Sequence, residues 1–144
     1  EAAKVTWNQC YGYWACVGNT NKTSGPTTYR VILFYDKEQH GTVPGVTELL
    51  ESASTQSHFK HTHRQRFKII QDKYHVIGND IDASIHTDVW KSRNILKGNA
   101  SYIGVGATQA HQGANNIYCC IIGDEATVDN QPALYFQLRF RFWG

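Results

Sequence analysis

Three histidines stand close together, His58, His61 and His63, and imidazoles at such spacing can converge on zinc or iron. In the cupin form of that site a glutamate follows His-x-His shortly, whereas this chain has Phe67 and Lys68 there. Without the carboxylate the triplet reads as solvated loop residues, and a cupin-like metal oxygenase is the weaker alternative. No metal or other cofactor is expected. A thiol nucleophile with an imidazole base is the next chemistry to weigh. Nothing places Cys10, Cys16, Cys119 or Cys120 on an exposed turn or at a helix start, where a thiol becomes acidic. They read as reduced and packed. Asn79-Asp80-Ile81-Asp82 and Asp124-Glu125 offer oxygen ligands, but both adjoin glycine in turn-like stretches, where such residues serve the backbone. Gly104-Val105-Gly106 has Gln109 in place of the third glycine of a dinucleotide loop, and no helical pattern follows. No enzyme is expected.

The basic residues carry more by placement than by number, since the net charge is only +2. Arg64, Arg66 and Lys68 form one cluster, Lys91, Arg93 and Lys97 a second, and Arg139 with Arg141 a third beside Tyr135 and Trp143. Arginines alternating with aromatics can follow a phosphate backbone and stack on bases. Arg64, Arg66, Lys91, Arg93, Arg139 and Arg141 are therefore the candidates for a nucleic-acid surface without sequence preference. The plainer alternative is that Arg139 and Arg141 solvate the open side of a half-buried strand, or pair with acidic residues of a neighbouring subunit.

Positioning such a surface requires strands. Residues 29–37 (YRVILFYDK) are an apolar run containing one arginine and leaving through Asp36-Lys37. Continuity in place of alternation implies a strand buried on both faces or covered by a loop. Residues 4–17 are rich in strand formers, and residues 18–26 break them with turn residues. Residues 38–45 read as a loop, after which Val46, Leu49 and Leu50 stand at helical spacing and predict one short helix. Residues 52–66 are polar and lack apolar periodicity, which predicts a long loop. Residues 67–76 resume as strand, kink and strand, with Gly78-Asn79-Asp80 as the next turn. Residues 81–98 mix short alternation at Ile85, Thr87 and Val89 with the second basic cluster. Residues 102–107 carry two glycines and read as an irregular edge. Residues 117–122 (IYCCII) predict another buried strand. Residues 134–143 (LYFQLRFRFW) alternate strictly, with Phe136, Leu138, Phe140 and Phe142 on one face and Gln137, Arg139 and Arg141 on the other.

The 144 residues suit one all-β domain, a sandwich or a barrel, with no internal repeat. Aromatics make up 12% and charged residues 18%, a balance that favours large contact surfaces over solvated ones. No run of eighteen apolar residues is present, so a soluble chain without membrane insertion is expected. The sequons at Asn21 and Asn99 would matter only in a secreted chain.

Residues 29–45, YRVILFYDKEQHGTVPG, resemble the capsid segment of small circular single-stranded DNA viruses, the circovirus-like and geminivirus-like group, in which an apolar strand ends in Tyr-Asp-Lys. Residues 63–73, HRQRFKIIQDK, are similar to a second strand of that family, with His63 at its usual Asn. A weaker likeness lies in NNIYCCII followed by the alternating last strand. The resemblance implies a single jelly-roll sandwich over 1–144, two four-stranded antiparallel sheets with long loops and one short helix. It further implies self-assembly into an icosahedral homo-oligomer around circular single-stranded DNA, residence in the virion, and assembly in the host nucleus; it indicates no particular host-cell receptor. Trp7, Tyr11, Trp14, Trp90 and Tyr102 are the expected subunit-contact aromatics, shared with the core. The family's Arg-rich arm is not matched by Glu1-Ala2-Ala3-Lys4, so the arm is expected to be absent or removed. A carbohydrate-binding jelly roll using exposed Trp and Tyr is the main rival, since the fold hosts both.

Overall fold

In the computed structural model, which describes residues 3–17, 26–38, 41–77, 87–102, 113–124 and 133–143, the apolar run lies in strand β2 (Thr27–Asp36), of which all but Thr28 is buried. Two partners flank it antiparallel, β3 (Phe67–Ile77) and β5 (Asn116–Gly123). A second antiparallel sheet centres on β1 (Ala3–Val17), between β4 (Thr87–Tyr102) and β6 (Ala133–Trp143). The described residues thus form two three-stranded sheets, β4-β1-β6 in front and β3-β2-β5 behind, in a jelly-roll-like sandwich. The four-stranded sheets expected from the family resemblance are each one strand wider than those described. One short helix, α1 (Val46–Leu49), and a 3-10 turn (His61–His63) interrupt the long connection after β2.

Period-two alternation sends β2 side chains to two different cores. Tyr29, Val31, Leu33 and Tyr35 face the front sheet, where they meet Trp14, Leu134, Leu138 and Cys10. The opposite face presents Ile32 and Phe34 to Leu49, Leu50 and Phe67, so the connection between β2 and β3 covers the back of the sandwich. Burying such a side chain contributes roughly 1.5–3 kcal/mol, which explains why β2 is apolar throughout rather than at alternate positions. The covering segment is tied down by its backbone: Lys60 N–H donates to Leu49 O at 2.9 Å and Glu51 N–H to His58 O at 3.0 Å.

The two charges at the ends of this face are both neutralised. Arg30, 3% exposed, donates Nε and Nη2 to the Asp72 carboxylate at 2.8 and 2.7 Å, and Nη1 to the Ser57 carbonyl at 2.6 Å. Its guanidinium lies between the rings of Tyr74 and Phe59, at 4.8 and 5.0 Å from their centroids. At the other end Asp36 accepts from Arg66, which also pairs with Glu48 of α1. Desolvation would expel a lone charge here, whereas a paired and hydrogen-bonded one is tolerated.

The front and back sheets meet on an aromatic column. Trp14, wholly buried, stacks on Trp90 with ring centroids 5.8 Å apart and on Phe136 at 5.4 Å. Trp90 continues onto His75 at 3.8 Å, and His75 onto Tyr29 at 5.2 Å. Gly12 lies beneath the Trp14 indole, where a Cβ would run into Nε1.

Two expectations change. Residues 67–77 form one continuous strand whose kink is a bulge: Leu33 pairs with Gln71 and Phe34 with Ile69, leaving Ile70 as the extra residue. Residues 87–102 form a single long strand in place of mixed alternation, while the irregular edge expected over 102–107 lies, apart from Tyr102, outside the described residues. Hydropathy hides β4 because its inward residues include Ser92 and Asn94, bonded to Trp14 Nε1 and Gln71 Oε1, while Val89 and Ile95 point outward. The turn at 78–80, the carboxylates of residues 80–82, Glu125 and Gly104-Val105-Gly106 lie outside the described residues.

Candidate nucleic-acid interface

Residues directly opposite in an antiparallel pair share a face, so the strand register defines the open side of the front sheet row by row. Arg93, Tyr11 and Arg139 form one row; Lys91, Tyr13 and Gln137 the next; Val89, Ala15 and Tyr135 a third. Ile95, Gln9 and Arg141 complete the face on the other side of the first row. Four cations from two strands thereby flank the tyrosines of β1, and no carboxylate is among them. Lys91, Arg93, Arg139 and Arg141 are all exposed, and no described carboxylate lies within ion-pair distance of any of them. With strands about 4.8 Å apart and alternate residues about 7 Å apart along a strand, the cations span a patch roughly 10 Å wide. Such a patch can neutralise a few successive phosphates and recognises no sequence.

Arg93 lies over the Tyr11 ring at 5.7 Å, and the Tyr11 hydroxyl donates to the Gln9 side-chain oxygen, so Tyr11 is engaged within the face. Next to it an open depression of about 860 Å³ is lined by Tyr11, Tyr13, Lys91, Gln137, Arg139 and Arg141.

Of the six basic residues expected to face nucleic acid, the fold brings together Lys91, Arg93, Arg139 and Arg141. Arg64 is exposed on the segment that covers the back sheet, on the far side of the sandwich. Arg66 must be reassigned: it is 8% exposed, and its guanidinium is consumed by Asp36 and Glu48. Hydrogen bonding to Asp36 raises its pKa further above the usual arginine value, and its role is to hold the cover to β2. The contact aromatics divide as well. Trp14 is wholly buried and belongs to the core; Trp90 packs against it and is half-buried, and Tyr11 is half-buried on the open face. Trp7 and Tyr102 lie in β1 and β4, with side chains outside those described.

The thiol and metal chemistries find no site among the described residues. Burial pushes the Cys10 thiol up to about 11 and Cys119 to about 12, so neither supplies thiolate at neutral pH. His63 places Nδ1 2.9 Å from the Glu48 carbonyl, and His58 and His61 line the same covering segment. Among the described residues no three of His, Cys, Asp and Glu converge as metal ligands. No helix among them is long and apolar enough to cross a membrane.

Residues 13–141 match the family described as satellite tobacco necrosis virus coat protein. The chain belongs to that family. A coat protein of satellite tobacco necrosis virus 2 is 34% identical over 118 residues, covering 78% of this chain and 54% of that protein. The chain therefore spans about half the length of that relative. The coat-protein family is structural rather than enzymatic. The resemblance to viral capsid proteins is correct at that level and misplaced in its group: the family belongs to an RNA virus, not to the circovirus-like and geminivirus-like DNA viruses. Assembly in the host nucleus rested on the DNA group and loses its ground with it.

Within this coat-protein chain, Gln137, Arg139 and Arg141 of β6 share a face by strict alternation, whereas Tyr11 and Tyr13 join them only through the β1–β6 register. No local signal in the sequence supplies that register.

Proposed function

We propose that this chain is the shell-building sandwich of a coat protein that self-assembles into an icosahedral particle around a single-stranded RNA genome, with the open face of its front sheet turned to the nucleic acid. The observation that carries this is the grouping of Lys91, Arg93, Arg139 and Arg141 on a face without described carboxylates, in a chain of this coat-protein family. RNA replaces the DNA expected from sequence because the related coat protein is that of an RNA virus.

The modest net charge of +2 understates this face. Asp36, Glu48 and Asp72 are committed to Arg30 and Arg66 in the back layer, so none of these three carboxylates offsets the cations in front. In a shell the same face repeats in every subunit, and many weak phosphate contacts then add through multivalency. Subunits associate through a symmetric repetition of their own surfaces, so the principal partner is a further copy of the chain.

Particles purified from cells expressing the full chain test the genome type. RNA that survives external ribonuclease while the shell is intact, and is destroyed once the shell is opened, is the expected result. Particles holding deoxyribonuclease-sensitive material, or none at all, would overturn it. A carbohydrate-binding module would instead remain a small species on size exclusion and hold no nucleic acid.

A further inference from the structure

The open face of the front sheet has a second half that the cations do not occupy. Beyond the Lys91, Tyr13 and Gln137 row lie Ala15, Val89 and Tyr135. Tyr13 and Tyr135 are 47% and 61% exposed, and neither stacks on another described ring. Tyr135 is opposite Ala15 and diagonal to Tyr13, so the small Ala15 side chain leaves a slot between the two phenols. A depression of about 560 Å³ takes in this slot and continues round the β6 edge, lined by Tyr13, Ala15, Tyr135 and Gln137 of the open face and by Leu134 and Phe136 of the inner one. It shares Tyr13 and Gln137 with the larger depression beside Lys91, Arg139 and Arg141.

We infer that this slot is a base-stacking subsite for an unpaired nucleotide, with Tyr13 and Tyr135 as platforms and Gln137 beside them to hydrogen-bond a base edge. The inference rests on the proposed role of the neighbouring cations as phosphate contacts and names the form of nucleic acid that the face takes. Solvent-exposed phenols on a sheet offer π-faces to any base, as single-strand binders do. A base must leave its helix to reach them, so duplex is disfavoured. Gln137 carries both donor and acceptor groups and discriminates weakly among bases. A strand running from the basic rows into the slot therefore places phosphate on Lys91 and Arg139 and a base between the tyrosines. Charge and rings together favour this occupant: Lys91, Arg139 and Arg141, with no described carboxylate within ion-pair distance, call for an anionic partner, and the exposed phenols beside them for one that also carries flat π-faces.

The test uses the full chain, a homopolymeric RNA strand, the same strand carrying abasic sugars, and an RNA duplex of equal length. The expected order is base-bearing strand tightest, with the abasic strand and the duplex about tenfold weaker or more. Tyr13→Thr with Tyr135→Thr, both exposed and kept compatible with strands, should bring the base-bearing strand down to the abasic affinity. The double variant should leave abasic binding and the salt slope unchanged. Equal wild-type affinity for base-bearing and abasic strands, or tighter binding of duplex, overturns the stacking subsite while leaving the phosphate face intact. Failure of the phosphate face is read separately, as a salt slope that Lys91→Gln with Arg139→Gln and Arg141→Gln does not change.

Discussion

Asp36, the last residue of β2, and Arg66, the residue before β3, meet in a two-pronged ion pair, Nε to Oδ1 at 2.9 Å and Nη2 to Oδ2 at 2.7 Å. Both are nearly excluded from solvent, and the peptide units beside them also join, Lys37 N–H to Arg66 O at 3.0 Å. Asp36 O accepts from Asn115 N–H at 2.7 Å on the other side, where Asn115 adopts a positive φ before β5. One aspartate thus registers all three strands of the back sheet at one end, and Arg66 carries the connection through Glu48 to α1.

Breaking this pair leaves a buried charge without its partner, so Arg66→Met or Asp36→Ala should cost about 3–5 kcal/mol in urea unfolding. Arg66→Met should leave RNA affinity and its salt slope unchanged in whatever fraction folds. A loss of RNA binding by folded Arg66→Met would return this arginine to the nucleic-acid face.

The cations of the front sheet should behave in the opposite way. Replacing Lys91, Arg139 and Arg141 by Gln should leave the thermal midpoint nearly unchanged, because all three are exposed and unpaired among the described residues. The slope of log affinity against log salt for single-stranded RNA should fall by about 2, at roughly 0.7 for each phosphate no longer neutralised.

Gly12 is required for want of room. A side chain there would strike Trp14 Nε1 and stand 2.5 Å from Ser92 Oγ, where the indole donates at 2.9 Å. Gly12→Ala should cost about 1–3 kcal/mol by overpacking, with a red shift in tryptophan emission as the indole gains solvent. An unchanged midpoint and spectrum would contradict the packing of Trp14 over this residue.

The buried thiols set a direction for alkaline pH. Cys10 and Cys119 are held neutral in the fold, at about 11 and about 12 against an ordinary 9.0. Folding stabilises the protonated form, so their contribution is complete below pH 9.0 and is lost as pH rises through the folded values. Thermal melts should fall above about pH 9, and less steeply for Cys10→Ala with Cys119→Ala, whatever the absolute cost of the substitutions. Parallel pH profiles for the two proteins would contradict this.

What could be read from sequence followed from how locally each pattern is determined. The continuous apolar run of β2 announced a strand covered on both sides, and the alternation of β6 placed Gln137, Arg139 and Arg141 together, because both patterns depend on period alone. The long β4 was missed where Ser92 and Asn94 sit inward, since their burial is possible only with Trp14 and Gln71 as partners from other strands. Arg66 was misassigned for the same reason: its carboxylates are 18 and 30 positions away. The capsid resemblance read the class of protein correctly, but it rested on strand-and-turn motifs that different virus groups can share.

Electron microscopy of the purified full chain under assembly conditions tests the central claim most directly. Uniform closed shells are the expected result. A monodisperse small species that forms no particles at any protein or salt concentration would contradict a shell-building role.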